Sequence, residues 1–116
     1  MQDVKSQYGG KNVLVTGGTG FLGSNIAHAL VALRANVTII DYSGSSAFNL
    51  NGIERKIRLV KGDIRDQNLI EQLVKGKDVV FNLAARVSAV ESNEEPFNDL
   101  DVNCRGQLVI LEACRK

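Results

Sequence analysis

The sequence predicts an α/β fold in which a parallel sheet carries helices on both faces. Short apolar runs of strand type alternate with segments of helical periodicity from residue 11 onward, and this alternation is typical of parallel strands joined by right-handed crossovers. A glycine-rich stretch at residues 16–23 lies between the first strand and the first helix. That position is the phosphate-binding turn of a Rossmann-type sheet, so the predicted strand order is 3-2-1-4.

The glycine-rich stretch reads TGGTGFLG, and Gly18, Gly20 and Gly23 have the spacing of a dinucleotide-binding turn. It follows a strand predicted over residues 12–16 and opens a helix predicted over residues 21–34. Glycine lets the backbone turn tightly and approach a ligand closely, while a helix N-terminus offers N–H groups and partial positive charge to a pyrophosphate. We therefore predict that this turn binds the phosphates of a dinucleotide.

The remaining elements follow from the same periodicities. They are predicted as a strand at 36–41, a Ser/Gly/Asn-rich loop at 42–52, a strand at 57–61, a helix at 66–75, a strand at 78–82 and a helix from Pro96 to nearly the end. Leu100, Leu108 and Leu111 are predicted to point inward from this last helix. Residues 1–10 are predicted to be a flexible lead-in, because they are polar and end in two glycines.

The pattern of strands and helices stops after the fourth helix. We therefore expect residues 11–116 to be the first half of a larger doubly wound domain. The outer edge of the fourth strand would then be open, and pairing along that edge would give a homo-oligomer.

Composition argues against several classes of function. The 116 residues carry a formal net charge of +1, which gives no electrostatic reason to expect nucleic acid or a membrane as partner. No apolar run is long enough to span a bilayer, and no signal peptide is visible. Cys104 and Cys114 fall in one predicted helix, about 15 Å apart and beyond disulfide reach, so we expect reduced thiols and a cytoplasmic protein. No His/Cys cluster has the spacing of metal ligands.

Asp41 ends the second predicted strand, 21 residues after Gly20. A carboxylate there accepts hydrogen bonds from both hydroxyl groups of an adenosine ribose. Its charge repels a 2′-phosphate, which favours NAD over NADP. The alternative is an aspartate that merely opens a solvated loop.

Three further groups of residues follow strands at the same predicted edge. Asp63 and Ile64 follow the third strand, where they would contact adenine; the alternative role, compatible with that contact, is Asp63 or Asp66 as a helix cap. Residues 82–85 (NLAA) end the fourth strand, where small side chains suit either contact with a cofactor or close packing of sheet and helix. Asn103 interrupts the apolar face of the last helix, so it either acts near the nicotinamide or lies on the surface.

Other polar residues support weaker predictions. Arg86, Ser88 and Glu91 lie in a loop that would border a substrate cleft or simply be solvated. His28 is predicted to face solvent, because it lies between the apolar positions of the first helix.

Together these motifs resemble the N-terminal part of an extended short-chain dehydrogenase/reductase, in the NAD-dependent epimerase/dehydratase family that acts on nucleotide sugars. The resemblance covers about Lys11 to Arg115. It rests on the order and spacing of several motifs: the glycine stretch, Asp41 with the Ser/Gly loop after it and Asn49-Leu50, residues 62–66 (GDIRD), residues 82–85, Pro96, and Asn103-x-x-Gly106 leading into Leu111-Glu112-Ala113. It implies that residues 11–116 are the N-terminal part of an NAD-binding Rossmann domain whose C-terminal half and substrate subdomain are absent.

The resemblance implies NAD as the cofactor and assigns residues to each of its parts. Gly17, Gly20 and Gly23 shape the turn, and the backbone of Phe21 and Leu22 meets the pyrophosphate. The other contacts that it implies are Asp41 and Ser43 to the ribose, Asp63 and Ile64 to adenine, Leu83, Ala84, Ala85 and Arg86 to the nicotinamide side, and Asn103 near the active site.

The chain departs from the family pattern at two places. Asn82 stands where the family usually has His, a change that we expect to be tolerated. The family's catalytic Tyr-x-x-x-Lys is missing, because Tyr8 is followed four residues later by Asn12 and Tyr42 by Ser46. Neither tyrosine can form the pair in which Lys lowers the pKa of Tyr for acid/base work, so we expect this chain alone to be inactive.

By resemblance, the chain is the NAD-binding portion of a nucleotide-sugar epimerase or dehydratase, an isomerase or lyase. In such an enzyme NAD takes a hydride from a sugar carbon and the Tyr takes the hydroxyl proton. Two alternatives stay open. One is another NAD(P)-dependent reductase of the extended family, an oxidoreductase. The other is a non-catalytic dinucleotide-binding regulatory module that is complete at this length.

Overall fold

The computed structural model describes residues 4–42, 46–84 and 96–116. The strands are β1 (Asn12–Thr16), β2 (Asn36–Asp41), β3 (Ile57–Lys61) and β4 (Val79–Asn82). The helices are α1 (Val4–Tyr8), α2 (Phe21–Ala32), α3 (Gln67–Val74), α4 (Pro96–Leu100) and α5 (Gly106–Arg115). Two 3-10 turns lie at Phe48–Leu50 and Glu54–Lys56, and a π-helical turn at Asp101–Arg105 joins α4 to α5.

The four strands form one parallel sheet in the order β3-β2-β1-β4, which confirms the predicted order. The register pairs Thr16 with Ile40 on one side and with Asn82 on the other, and Asp41 pairs with Lys61. The carboxyl ends of the strands therefore meet at one edge of the sheet. The glycine stretch and the residues after β2, β3 and β4 all leave the sheet at this edge.

Alternate residues of β1 enter two cores, one on each face of the sheet. Val13 and Val15 are buried in the core that α2 covers with Ala27 and Leu30. Leu14 is buried in the core on the other face. That second core is completed by side chains of β2, α3 and α5, among them Ile40, Ile70, Leu73, Val109, Ile110 and Ala113. Both faces of the sheet are thus covered by helix, as the alternation of elements predicts.

The structure describes residues 4–10 of the segment that the sequence analysis predicts as a lead-in. Val4–Tyr8 forms a short helix, and Tyr8 packs against the α2 side of the core, with its ring centroid 6.4 Å from that of Phe81. The Gly10 N–H donates to the Arg34 carbonyl over 3.0 Å. These contacts attach residues 8–10 to the body of the fold.

The last helix corrects the prediction of which side chains point inward. Leu100, Leu108 and Leu111 are exposed by 60%, 58% and 62%. The buried side of α5 is instead formed by Gly106, Val109, Ile110 and Ala113. A π-helical turn adds a residue to one turn and so rotates the following helix face, and the turn at Asp101–Arg105 interrupts the single regular helix that the sequence predicts.

Candidate functional site

A cleft of about 920 Å³ opens at the carboxyl edge of the sheet. Its lining includes residues of the glycine stretch, the end of β2, the turn after β3, the end of β4 and the helical segment after residue 96. Of the residues that the sequence predicts for the cofactor, those that line it are Gly17, Gly20, Phe21, Leu22, Gly23, Asp41, Asp63, Ile64, Leu83 and Ala84. The topology therefore brings these separate motifs to one place.

Three glycines of the turn differ in what would surround a side chain. Gly17 has φ +70°, and a Cβ there would lie 2.9 Å from the backbone of Leu83 and Ala84. A Cβ on Gly23 would overlap the Gly17 carbonyl oxygen. A Cβ on Gly20, by contrast, would lie 3.5 Å from that oxygen, an ordinary contact, and φ is −74°. The fold therefore requires glycine at 17 and 23, whereas at residue 20 it leaves open space toward the cleft.

The first turn of α2 presents its backbone to the cleft. Gly20 is the N-cap and provides no side-chain oxygen to the N–H groups of the first turn, which by helix geometry lack intrahelical acceptors. The side chains of Phe21 and Leu22 are 84% and 58% exposed. This turn can therefore bind an anion through backbone groups.

Asp41 is buried and ties the glycine stretch to the end of β2. Its Oδ2 accepts hydrogen bonds from the Thr19 backbone N–H, over 3.1 Å, and from the Thr19 hydroxyl. Its Oδ1 accepts one from the Tyr42 N–H over 2.9 Å. An ionised carboxylate offers about four acceptor positions, and the described residues fill one of the two on Oδ1. Asp41 thus does not simply open a solvated loop.

A second tie to the same loop passes through Asn49, which belongs to one of the motifs that carry the resemblance. The Asn49 side-chain amide donates to the Thr19 carbonyl over 2.9 Å. The His28 ring, predicted to face solvent, lies with Nε2 3.0 Å from the Asn49 carbonyl oxygen. This contact gives His28 a partner at the 3-10 turn Phe48–Leu50 in a hydrogen bond that is itself exposed to solvent.

The turn after β3 is organised by Arg65. Asp63 accepts hydrogen bonds from the Arg65 N–H over 2.9 Å and from its guanidinium over 2.6–3.0 Å. The same guanidinium donates to Asp101 over 2.7 Å and to Asn98 over 3.3 Å. Hydrogen bonds from Arg65 hold the pKa of Asp63 below its usual range, and those to Asp63 and Asp101 raise the pKa of Arg65. The link between Arg65 and Asp101 has no local signal in the sequence, because these two residues are 36 positions apart.

Ile64 and Asp66 have different roles in this segment. Ile64 lines the cleft but is only 5% exposed, and it packs into the core against Gly106, where a Cβ would overlap its side chain. It therefore has a structural role in the core. Asp66 caps α3 by accepting a hydrogen bond from the Leu69 N–H over 3.2 Å, which confirms the helix-cap alternative for that residue.

A closed set of hydrogen bonds fixes the end of β4. The Thr16 hydroxyl donates to Asn82 Oδ1 over 2.8 Å and accepts from the backbone N–H groups of Leu83 and Ala84 over 2.9 and 3.0 Å. Asn82 Nδ2 donates to Gln107 Oε1. Gln107 Nε2 donates to the Ala84 carbonyl over 2.7 Å. We call Thr16, Asn82, Gln107 and the Leu83–Ala84 backbone the switch-point ring.

The remaining predicted residues divide into two groups. Ser43, Ala85 and Arg86, together with Ser88 and Glu91, lie outside the described residues. Asn103 lies half-buried in the π-helical turn and is not among the described residues that line the cleft, whereas Asn98 and Val102 are.

Within ranges 4–42, 46–84 and 96–116, no helix combines the length and apolar character needed to cross a membrane. The same ranges hold no group of three or more His, Cys, Asp or Glu side chains arranged to bind a metal ion.

Comparison with known proteins identifies relatives along nearly the whole chain. The model of the NAD dependent epimerase/dehydratase family matches residues 13–116. The chain is 42% identical over 111 residues to a dTDP-glucose 4,6-dehydratase of Mycobacterium tuberculosis, a match covering 90% of this chain and 33% of the relative.

Solved structures show the same relationship. An epimerase from Methanothermobacter thermautotrophicus matches with a TM-score of 0.87 and 42% identity, over 96% of this chain and 33% of that protein. The UDP-glucose 4-epimerase of Thermus thermophilus, solved in complex with NAD, matches with a TM-score of 0.76 and 34% identity, over 90% of this chain and 33% of that protein. The chain thus spans about a third of the length of these relatives.

Proposed function

Because the chain belongs to the NAD-dependent epimerase/dehydratase family, we propose that it is the NAD-binding portion of a nucleotide-sugar epimerase or dehydratase. The observation that carries this proposal is the space at Gly20. Gly17 and Gly23 are required by close contacts with backbone atoms, whereas no contact within the described residues requires glycine at position 20. A phosphate that lies against this backbone explains why a side chain is lacking there.

The described residues fit a dinucleotide at successive points along the cleft. The backbone at Phe21 and Leu22 would bind the pyrophosphate, with Gly17 and Gly23 holding the turn in shape. Asp41, through Oδ1, would bind the adenosine ribose. The residues proposed for the other contacts are Ser43 at the ribose, Asp63 and Ile64 at adenine, Leu83, Ala84, Ala85 and Arg86 on the nicotinamide side, and Asn103 nearby.

Asp41 supports NAD rather than NADP as the ligand. Its carboxylate is buried, and the contacts with Thr19 and Tyr42 fix its position at the cleft. A 2′-phosphate on the ribose would place a second negative charge beside this carboxylate, and the two charges would repel each other. We therefore infer a preference for the cofactor that has a free 2′-hydroxyl.

NAD, when bound, supplies the capacity to accept a hydride from a substrate carbon and to return it. The residues of this chain hold and orient it, and Asp41 fixes its adenosine end. Tyr8 and Tyr42 are each followed four residues later by a residue other than Lys. We propose that the acid/base group and the nucleotide-sugar contacts come from residues outside these 116.

Calorimetric titration with NAD tests the cofactor site, with Gly20→Ala as the decisive variant. The added methyl group meets no close protein atom, so we expect the melting temperature to stay within about 1 °C of the parent. It would occupy the space of the proposed pyrophosphate, so we expect NAD to bind at least about tenfold more weakly. A folded Gly20→Ala protein that binds NAD as tightly as the parent would overturn the proposed site.

The enzyme class is tested by the reading frame of the gene. If the coding sequence continues past Lys116 into a Tyr-x-x-x-Lys, the epimerase or dehydratase proposal gains direct support. A stop codon at that point, with NAD binding intact, would favour the regulatory module instead.

A further inference from the structure

In the switch-point ring, the donor and the acceptor of each hydrogen bond can be assigned, starting from the buried Thr16. Thr16 is fully buried, and its oxygen accepts from the backbone N–H groups of Leu83 and Ala84. A hydroxyl has two acceptor lone pairs, so the hydroxyl proton must be donated, and Asn82 Oδ1 receives it.

The same assignment continues through the two amides. Because Asn82 Oδ1 faces Thr16, its Nδ2 must donate, and Gln107 Oε1 accepts. Gln107 Nε2 then faces the Ala84 carbonyl, which can only accept. Each side chain is thus fixed in one orientation, and reversing either amide would set two acceptors or two donors against each other.

The ring controls the wall of the cleft opposite the glycine stretch. Leu83 and Ala84 line the cleft, and their backbone leaves only 2.9 Å for a hypothetical Cβ on Gly17. The segment has little freedom on that side. The ring fixes the orientation of the Ala84 backbone, because Thr16 accepts a hydrogen bond from its N–H and Gln107 donates one to its carbonyl.

We propose that Asn82 and Gln107 are positioning residues that set how tightly the nicotinamide half of the cofactor is held. They act through Leu83 and Ala84. This inference rests on the proposed function, which places those two residues on the nicotinamide side. The inference also gives a reason for Asn82, which stands where the family usually has His. An amide can accept a hydrogen bond from Thr16 and donate one to Gln107 at the same time.

The test compares two ligands that differ only at the nicotinamide end. NADH and ADP-ribose share adenosine, pyrophosphate and second ribose, and each carries the charge of one pyrophosphate, but ADP-ribose lacks the ring. The ratio of the Kd of ADP-ribose to the Kd of NADH measures what the ring contributes. A change in overall stability or in surface charge alters both constants together and leaves the ratio unchanged.

Gln107→Glu is the main variant, because it keeps the shape of the side chain and sets a carboxylate against the Ala84 carbonyl. Asn82→Asp is the second, because it removes the donor to Gln107. Gln107→Ala provides a further variant that introduces no charge. Gln72→Glu is the matched control, since Gln72 is exposed in α3 and away from the cleft lining.

We expect the parent to bind NADH more tightly than ADP-ribose, and we expect the ratio to fall about three- to tenfold in the ring variants, the effect of one lost positioning hydrogen bond. Gln72→Glu should keep the parent ratio. A folded ring variant with the parent ratio, or a parent ratio of one, would overturn the inference while leaving the proposed function intact. Failure of the parent to bind either ligand would overturn the proposed function itself.

Discussion

The glycine stretch at residues 17–23 and the turn at residues 62–65 line the same cleft, but different forces hold them in shape. In the glycine stretch, backbone atoms approach so closely that Gly17 and Gly23 have no room for a side chain. In the other turn, the guanidinium of Arg65 bridges Asp63 and Asp101. The side chains of these three residues are between 29% and 48% exposed.

This difference means that the two regions should respond to different perturbations. Steric fit depends on volume and is insensitive to salt and pH, whereas half-exposed ion pairs are screened by salt and depend on protonation. Substitutions in each region, with the free energy of unfolding measured at low and high salt, distinguish steric fit from ion pairing.

The largest effect is expected from Gly23→Ala. The new Cβ would overlap the Gly17 carbonyl oxygen and would lie 2.8 Å from the Gly18 Cα, and backbone atoms cannot yield as a flexible side chain can. We expect a loss of about 2–4 kcal/mol in unfolding free energy, measured by urea denaturation and unchanged in high salt.

Gly20→Ala is the matched control for this loss, since it makes the same chemical change in the same turn without the overlap. If Gly23→Ala unfolded at the same urea concentration as Gly20→Ala, steric fit would not be what holds the glycine stretch.

A smaller effect is expected from Arg65→Gln. The change removes the bridge to Asp63 and Asp101, but solvent screens both pairs, so we expect a loss of about 1 kcal/mol at low salt. The loss should shrink in about 0.5 M NaCl, where the Debye length is short. Arg55→Gln, at an exposed position in the second 3-10 turn, removes the same charge and should leave stability nearly unchanged at either salt concentration. A loss that persists in full at high salt would show that Arg65 acts through packing.

The smallest effect is expected from pH. The pKa of Asp63 in the folded chain lies below the ordinary value of 3.8 because of the hydrogen bonds from Arg65. The carboxylate therefore stabilises the fold at pH values above 3.8, and this contribution is lost as the pH falls through the lower folded-state pKa. Urea denaturation of the parent and of Asp63→Asn should give stabilities that converge as the pH falls below 3.8. Two curves that stay parallel through that range would contradict this assignment.

The two regions also differ in how far the sequence predicted them. The glycine stretch was recognised because its spacing, its preceding strand and its following helix are all local features. The role of Arg65 was not recognised, because its partner Asp101 is 36 positions away and lies near it only in the folded chain. Asp41 lies between these cases. Its place at the end of β2 was predicted, but its contacts with Thr19, 22 residues earlier, were not.

The sequence was sufficient to predict the α/β class, the strand order and the convergence of the glycine stretch, Asp41, Asp63 and residues 83–84 at one edge of the sheet. These follow from periodicity and from the rule that parallel strands share a carboxyl edge. The buried face of α5 and the hydrogen bonds that join Thr16, Asn82 and Gln107 became evident only from the packed structure. A π-helical turn changes the helix face without a clear local signal, and hydrogen bonds between residues 23 to 68 positions apart depend on how the packed elements align.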